Sequence, residues 1–122
     1  MKMRTLFMAN AVVEVLFGLG FLFAPSIVLG LFGTQTDGTG TMLAHVAGGV
    51  IISLAIISWF GKEAESGPIQ DALIGGFTFA HLQAGVLTLL AILSGTFNAL
   101  AWSAVVMDVV FVVGFLWTRA RK

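Results

Sequence analysis

Three ionisable side chains lie near the middle of long apolar runs of this sequence: Glu14, His81 and Asp108. A charge at the centre of a membrane-crossing helix costs roughly 2.5–3.5 kcal/mol on insertion scales, so each is a functional candidate by default. Two carboxyls and an imidazole can share a proton, join as one hydrogen-bonded ion pair, or meet a cationic or polar ligand. Uncharged polar residues extend the set. Asn10 precedes Glu14 by one helical turn, with Gly18 continuing the stripe, and Thr78 shares a face with His81, Gly85 and Thr88. The candidate ligand- and proton-binding residues are therefore Glu14, His81, Asp108, Asn10 and Thr78. Spacing alone assigns none of them a catalytic role, because a nucleophile is defined by a base that the fold brings beside it.

These residues matter only if the elements that carry them cross a membrane, and composition says that they do. Of 122 residues, 58% are hydrophobic and 10% charged, with 15 Gly besides. The mean hydropathy is +1.03. Soluble domains carry about 25% charged residues, and a chain this small buries only about 60–70% of its unfolded surface. A water-soluble enzyme is excluded. Four segments reach the roughly 20 apolar residues a bilayer requires: 5–24, 41–60, 70–94 and 99–118. Runs such as Ile51-Ile52-Ser53-Leu54-Ala55-Ile56-Ile57 lack the two-residue alternation of a barrel strand. The expected fold is all-α, one domain over residues 1–122, with four transmembrane helices in an antiparallel bundle.

Punctuation supports these limits. Pro25 stops the first helix, since it lacks an N–H and disfavours helical geometry in the residue before it. Ser26 to Phe32 is apolar but too short to cross, so it is expected as a short interfacial segment. Gly33–Gly40 and Gly61–Pro68 are polar turns, and Gly95–Asn98 is tight enough to make the last two spans antiparallel neighbours. All six basic residues (Lys2, Arg4, Lys62, Arg119, Arg121 and Lys122) fall on the side of the two termini. The positive-inside rule then predicts a multi-pass protein with both termini cytoplasmic. Trp59, Trp102 and Trp117 sit near span ends, as interfacial aromatics do. The first apolar run is expected to stay in place as a span. It is longer than a signal h-region, contains Glu14, and would leave Pro25 just past a cut.

Depth tests whether the three ionisable groups can meet. Counted from the ends on the termini side, Glu14, His81 and Asp108 lie about 14, 17 and 15 Å deep at 1.5 Å per residue. They share the midplane. Small residues at i,i+4 spacing (Ala44 and Gly48; Gly76, Ala80 and Ala84) would let neighbouring backbones approach closely. Asp108 has only apolar neighbours on its own helix, so its partner must come from another element.

Other chemistries find no footing. With no Cys, thiolate metal sites and disulfides are absent, and six basic against six acidic residues leave no nucleic-acid footprint. His45 and His81 differ in depth by a dozen ångströms or so, which disfavours a bis-His haem. Glu14, His81 and Asp108 lack the local ligand spacing of helical metal sites. No cofactor is expected, and His45 reads as an interfacial polar residue beside Thr41.

The Gly/Phe-rich end of the first span, Phe17-Gly18-Leu19-Gly20-Phe21-Leu22-Phe23-Ala24-Pro25, is followed by Gly30-Leu31-Phe32-Gly33 before the second. In this layout the chain resembles the DoxX-like class of small bacterial four-helix membrane proteins, which implies a place in the bacterial inner (plasma) membrane. Glu14 on the first helix is also similar to the membrane-embedded Glu of small multidrug-resistance carriers, although the loops, Pro25 and Asp108 depart from that pattern.

The leading functional expectation is proton-sensitive or proton-coupled handling of a small molecule: binding or transport at a midplane Glu/His/Asp site, by a homo-oligomer or within a larger membrane complex. Two other classes compete. One is an accessory or structural subunit docked through its Gly/Ala faces; the other is an intramembrane enzyme acting on a lipid or quinone-like substrate.

Overall fold

The computed structural model describes residues 2–121. Helix α1 spans Met3–Phe23, α2 Pro25–Leu31, α3 Gly38–Gly61, α4 Pro68–Leu93 and α5 Trp102–Ala120, the last entered through a 3-10 turn at Ala99–Ala101. Four of these elements, the α5 helix counted with its leading turn, are long and apolar enough to cross a membrane. The chain is an all-α, multi-pass membrane protein built as an antiparallel four-helix bundle.

Local chemistry sets each boundary. Pro25 occupies the first turn of α2, where its missing N–H costs nothing, and Ala24 between α1 and α2 leaves helical geometry with φ −142°. The break frees the last carbonyls of α1. His45 Nδ1 lies 2.6 Å from one of them, that of Leu22, and must donate to it because a carbonyl only accepts. His45, one turn from Thr41 near the loop end of α3, thus closes the end of α1. Asp37 caps α3 by accepting from Gly40 N at 2.7 Å, and Asn98 caps the turn before α5 by accepting from Leu100 N at 3.0 Å.

The four long helices pair unequally. α1 packs along α3, and α4 along α5, while α1–α5 and α3–α4 touch sparingly. Between hydrocarbon-coated helices the driving force is close packing rather than exclusion of water. Glycine supplies that closeness in the first pair: a Cβ on Gly48 would stand 2.4 Å from Leu22 N and 2.8 Å from Gly18 O. Large apolar side chains such as Leu16, Phe60, Phe79 and Val106 face outward along every long helix, as lipid requires.

Both ends of the bundle are tied. On the termini side, Arg4 meets Glu63 at 3.0 Å and Arg119 meets Asp71 at 3.3 Å. Lys62 lies over Trp59 and Arg121 over Trp117, at 3.4 and 4.5 Å from the ring centroids. Five of the six basic residues are on this side; Lys122 lies outside the described residues. On the opposite side Asn98 N donates to Phe32 O at 2.8 Å and Asn98 Nδ2 to Leu31 O at 3.0 Å. These bonds strap the end of α2 to the α4–α5 turn, and Phe32 stacks on Phe97 beside them.

The interior changes character along the membrane normal. The termini half is solid, with Leu6, Phe7, Ile74, Phe77, Phe111 and Phe115 forming one buried cluster. Phe7 meets Phe77 and Phe115 edge-on at centroid distances of 5.7 and 5.5 Å. The other half is hollow.

Candidate functional site

The hollow begins where the aromatic cluster stops. It is a cavity of about 430 Å³ lined by all four long helices, running from Glu14, His81 and Asp108 at mid-depth to Phe21, Phe32 and Phe97 near the strapped loops. Its walls are almost wholly apolar. The three ionisable residues line its inner end and are nearly inaccessible, with relative exposures of 6, 6 and 5% respectively.

Two of them are joined. His81 Nδ1 lies 2.8 Å from Asp108 Oδ1, and His81 Nε2 lies 2.6 Å from Asn10 Oδ1. Phe111 stacks on the imidazole at a centroid distance of 4.7 Å and fixes its plane. Asp108, which has no partner on its own helix, finds one on α4, where Gly85 lets α5 come close: a Cβ there would be 3.2 Å from Asp108 Cβ. Outside this pair, a groove of about 170 Å³ runs between α4 and α5.

The bonds continue away from the cavity. Asn10 Nδ2 donates to Ser58 Oγ at 3.1 Å, and Ser58 Oγ donates to the Phe7 carbonyl at 2.9 Å. Because that carbonyl only accepts, the Ser58 hydrogen is committed to it, and Ser58 Oγ accepts from Asn10. Asn10 therefore turns its carbonyl oxygen to His81, and Nε2 must carry a hydrogen. One proton is then required between His81 Nδ1 and Asp108 Oδ1, whichever atom holds it. As imidazolium–carboxylate or as imidazole–carboxylic acid, the pair is neutral overall.

Glu14 is different. It stands one turn from Asn10 on α1, it lines the cavity, and its Oε2 is buried without a hydrogen-bond partner. An unsatisfied carboxyl oxygen in a low-dielectric interior costs free energy until something supplies a donor or a counter-charge.

Of the residues singled out from the sequence, Glu14, His81, Asp108 and Asn10 converge here. Thr78 does not: its hydroxyl is buried without a partner, and it is absent from both the string and the cavity wall. Asn10 contributes as the link between His81 and α3 rather than as a wall of the cavity. Two participants were not anticipated. Ser58 ends the string, whereas Ser53, the other serine of α3, bonds to Gly49 O of its own helix. Depth matching would have found Ser58, since it lies at the level of Phe7 and Asn10. Gln83 is the second, an exposed amide within α4 at the cavity edge. The row of Gly76, Ala80 and Ala84 does not meet a neighbouring backbone: Gly76 faces open space, and Ala80 and Ala84 give the cavity its width. Among the described residues, no three His, Asp or Glu side chains form a metal-ligand set.

Residues 8–121 match a protein family described as Domain of unknown function (DUF8292). The chain belongs to this family. Neither the curated proteins nor the solved structures compared with it gave a match.

Proposed function

We propose that this protein binds a small amphiphilic molecule in the midplane cavity, with Glu14 as the polar contact, so that the protonation state of Glu14 sets the affinity. The observation that carries this reading is the buried, unsatisfied Oε2 of Glu14 at the inner end of a cavity with otherwise apolar walls. Concave, mostly apolar sites with a few convergent polar groups are the usual form of a small-molecule pocket, and about 430 Å³ lies within their range of about 300–1,000 Å³. The titratable groups that share the cavity lining with Glu14 are His81 from α4 and Asp108 from α5; Asn10 stands one turn away on its own helix, and α3 offers only apolar side chains. Since His81 and Asp108 form a neutral unit, Glu14 is the group whose charge is left for a ligand. The side with the basic residues is proposed to be cytoplasmic, so the cavity lies toward the other face of the membrane.

An accessory-subunit role could not use Gly48 or Gly85 for docking, since both pack inside the chain, against Leu22 and Asp108.

N-phenyl-1-naphthylamine, an apolar fluorophore that is a very weak base, tests the pocket in nanodiscs. Saturable binding to the wild type is expected, abolished by Ala80→Phe, which fills the cavity. Its affinity should vary with pH in the wild type and be flat in Glu14→Gln. Failure to saturate, or the same pH profile in Glu14→Gln, would overturn the proposal.

A further inference from the structure

The cavity is not equally closed on all sides. Its lining residues on α1 and α5 (Phe17, Phe21, Ala104 and Met107) are half-buried, whereas Ala47 and Val50 on α3 and Gln83 and Ala84 on α4 are exposed. The exposed four face each other across the sparsely packed α3–α4 seam. Ala47 is nine residues from the loop end of α3 and Ala84 nine residues from the loop end of α4, so both lie about 14 Å in. The opening is therefore lateral, at hydrocarbon depth. Toward the loops, the Asn98 bonds to Phe32 and Leu31 and the Phe32–Phe97 stack hold the end of the bundle together. A ligand that follows this geometry comes from the lipid rather than from water.

Charge bookkeeping narrows its chemistry. The His81–Asp108 pair is neutral, and the remaining acid, Glu14, has a carboxyl oxygen that nothing satisfies. An anionic ligand would be repelled by Glu14 once ionised. A neutral hydroxyl could give one hydrogen bond, but an amine does more: charge-assisted hydrogen bonds are about twice as strong as neutral ones. A lipophilic amine dissolves in the bilayer as its uncharged base, so no isolated charge has to cross hydrocarbon to reach the site.

We infer that the cavity takes a membrane-dissolved lipophilic amine, which enters sideways between α3 and α4 and forms an ammonium–carboxylate pair with Glu14. This rests on the pocket proposed above. In the binding step the proton of the Glu14 carboxylic acid moves to the amine nitrogen, whose lone pair accepts it; the product is a carboxylate facing an ammonium, with no change in total charge. Gln83 at the seam supplies a polar contact for the amine as it passes.

The test uses the full chain in nanodiscs, with 1-pyrenemethylamine or its neutral counterpart 1-pyrenemethanol preloaded into the lipid and binding followed by energy transfer from Trp to pyrene. The amine is expected to bind at least about tenfold more tightly than the alcohol, and Glu14→Gln to erase that preference. Because the chain has no Cys, Ala47→Cys with Ala84→Cys can be bridged by a reducible bismaleimide across the seam. The bridge should slow amine binding at least about tenfold, with full recovery on reduction. Asn98→Ala, which unties the loop end, should leave the rate unchanged. Equal affinity for amine and alcohol would overturn the ligand class. Acceleration by Asn98→Ala with no effect of the bridge would overturn the route. In both cases saturable binding that Ala80→Phe abolishes would leave the pocket itself standing; if neither pyrene probe binds in that manner, the pocket reading falls as well.

Discussion

The two halves of this bundle are made from the same four helices and much the same residue types, yet one is solid and the other hollow. The difference lies in side-chain size at the bundle axis. In the termini half, four Phe rings from α1, α4 and α5 meet edge-on or stacked and leave no room. In the loop half the residues lining the cavity on α4 and α5 include Ala80, Ala84 and Ala104, whose small side chains give it its width. Lipid cannot squeeze such a space shut, because helices in a bilayer gain little by hiding apolar surface from equally apolar chains. Hollowness in a membrane bundle is therefore set by what the sequence omits from the axis, and it persists where a water-soluble core would be driven to collapse.

Substitutions that exchange the properties of the halves should give unequal effects. The largest is expected from Phe7→Ala, which removes the centre of the aromatic cluster. Phe→Ala changes in soluble cores cost about 3–5 kcal/mol, and with the water-transfer part reduced in lipid about 2–3 kcal/mol should remain. Ala80→Phe, the reverse change in the loop half, should stay within about 1 kcal/mol of wild type because the cavity accepts the ring. Unfolding equilibria in bicelles measure both; equal costs would mean that the halves are packed alike.

A smaller difference separates glycines of the two helix pairs. Gly48→Ala places a methyl 2.4 Å from backbone that cannot step aside, so α1 and α3 must part, at about 1–2 kcal/mol. At Gly76 nothing lies within 4 Å, and Ala should be neutral or gain up to about 1 kcal/mol from its better helix propensity. The same unfolding measurement decides, and a Gly48→Ala protein as stable as wild type would contradict the close α1–α3 contact.

The smallest effect probes the boundary between the halves. Asp108→Ala should cost about 1 kcal/mol, the usual worth of a hydrogen bond inside a membrane bundle. Asp108→Asn should cost less than about 0.5 kcal/mol, since an amide N–H can donate to the unprotonated Nδ1 of a neutral His81. If Asn proves as damaging as Ala, the imidazolium–carboxylate form is the one the bundle needs. Nitrogen-15 NMR of the imidazole would read the protonation state directly.

Much of the fold was legible because its signals are local. Pro25, Asp37, Asn98 and the runs of apolar residues act over a turn or so, and the observed helix ends fall within three residues of those read from the sequence. Part of the site was legible for a different reason: residue counts give depth at 1.5 Å each, and depth brought Glu14, His81 and Asp108 to one level. Rotation about each helix axis was not legible. Helices that are apolar almost all round carry no stripe to say which side faces a neighbour. Thr78 shares a helical face with His81 in the sequence although its hydroxyl reaches nothing, and no stripe marks Ser58 as the residue that makes the bond. The Ala80–Ala84 row shows the same limit, since small residues permit close approach but do not compel it.

The string that begins at Asp108 finishes on the main-chain oxygen of Phe7, and this makes it a cul-de-sac. A relay must be able to hand a hydrogen onward, yet an amide such as Asn10 cannot accept at oxygen and release from nitrogen without becoming a different tautomer, and the oxygen of Phe7 has nothing to release. A proton that reaches His81 from the cavity cannot continue along this string. The string stops inside the aromatic barrier and cannot itself carry a proton across it.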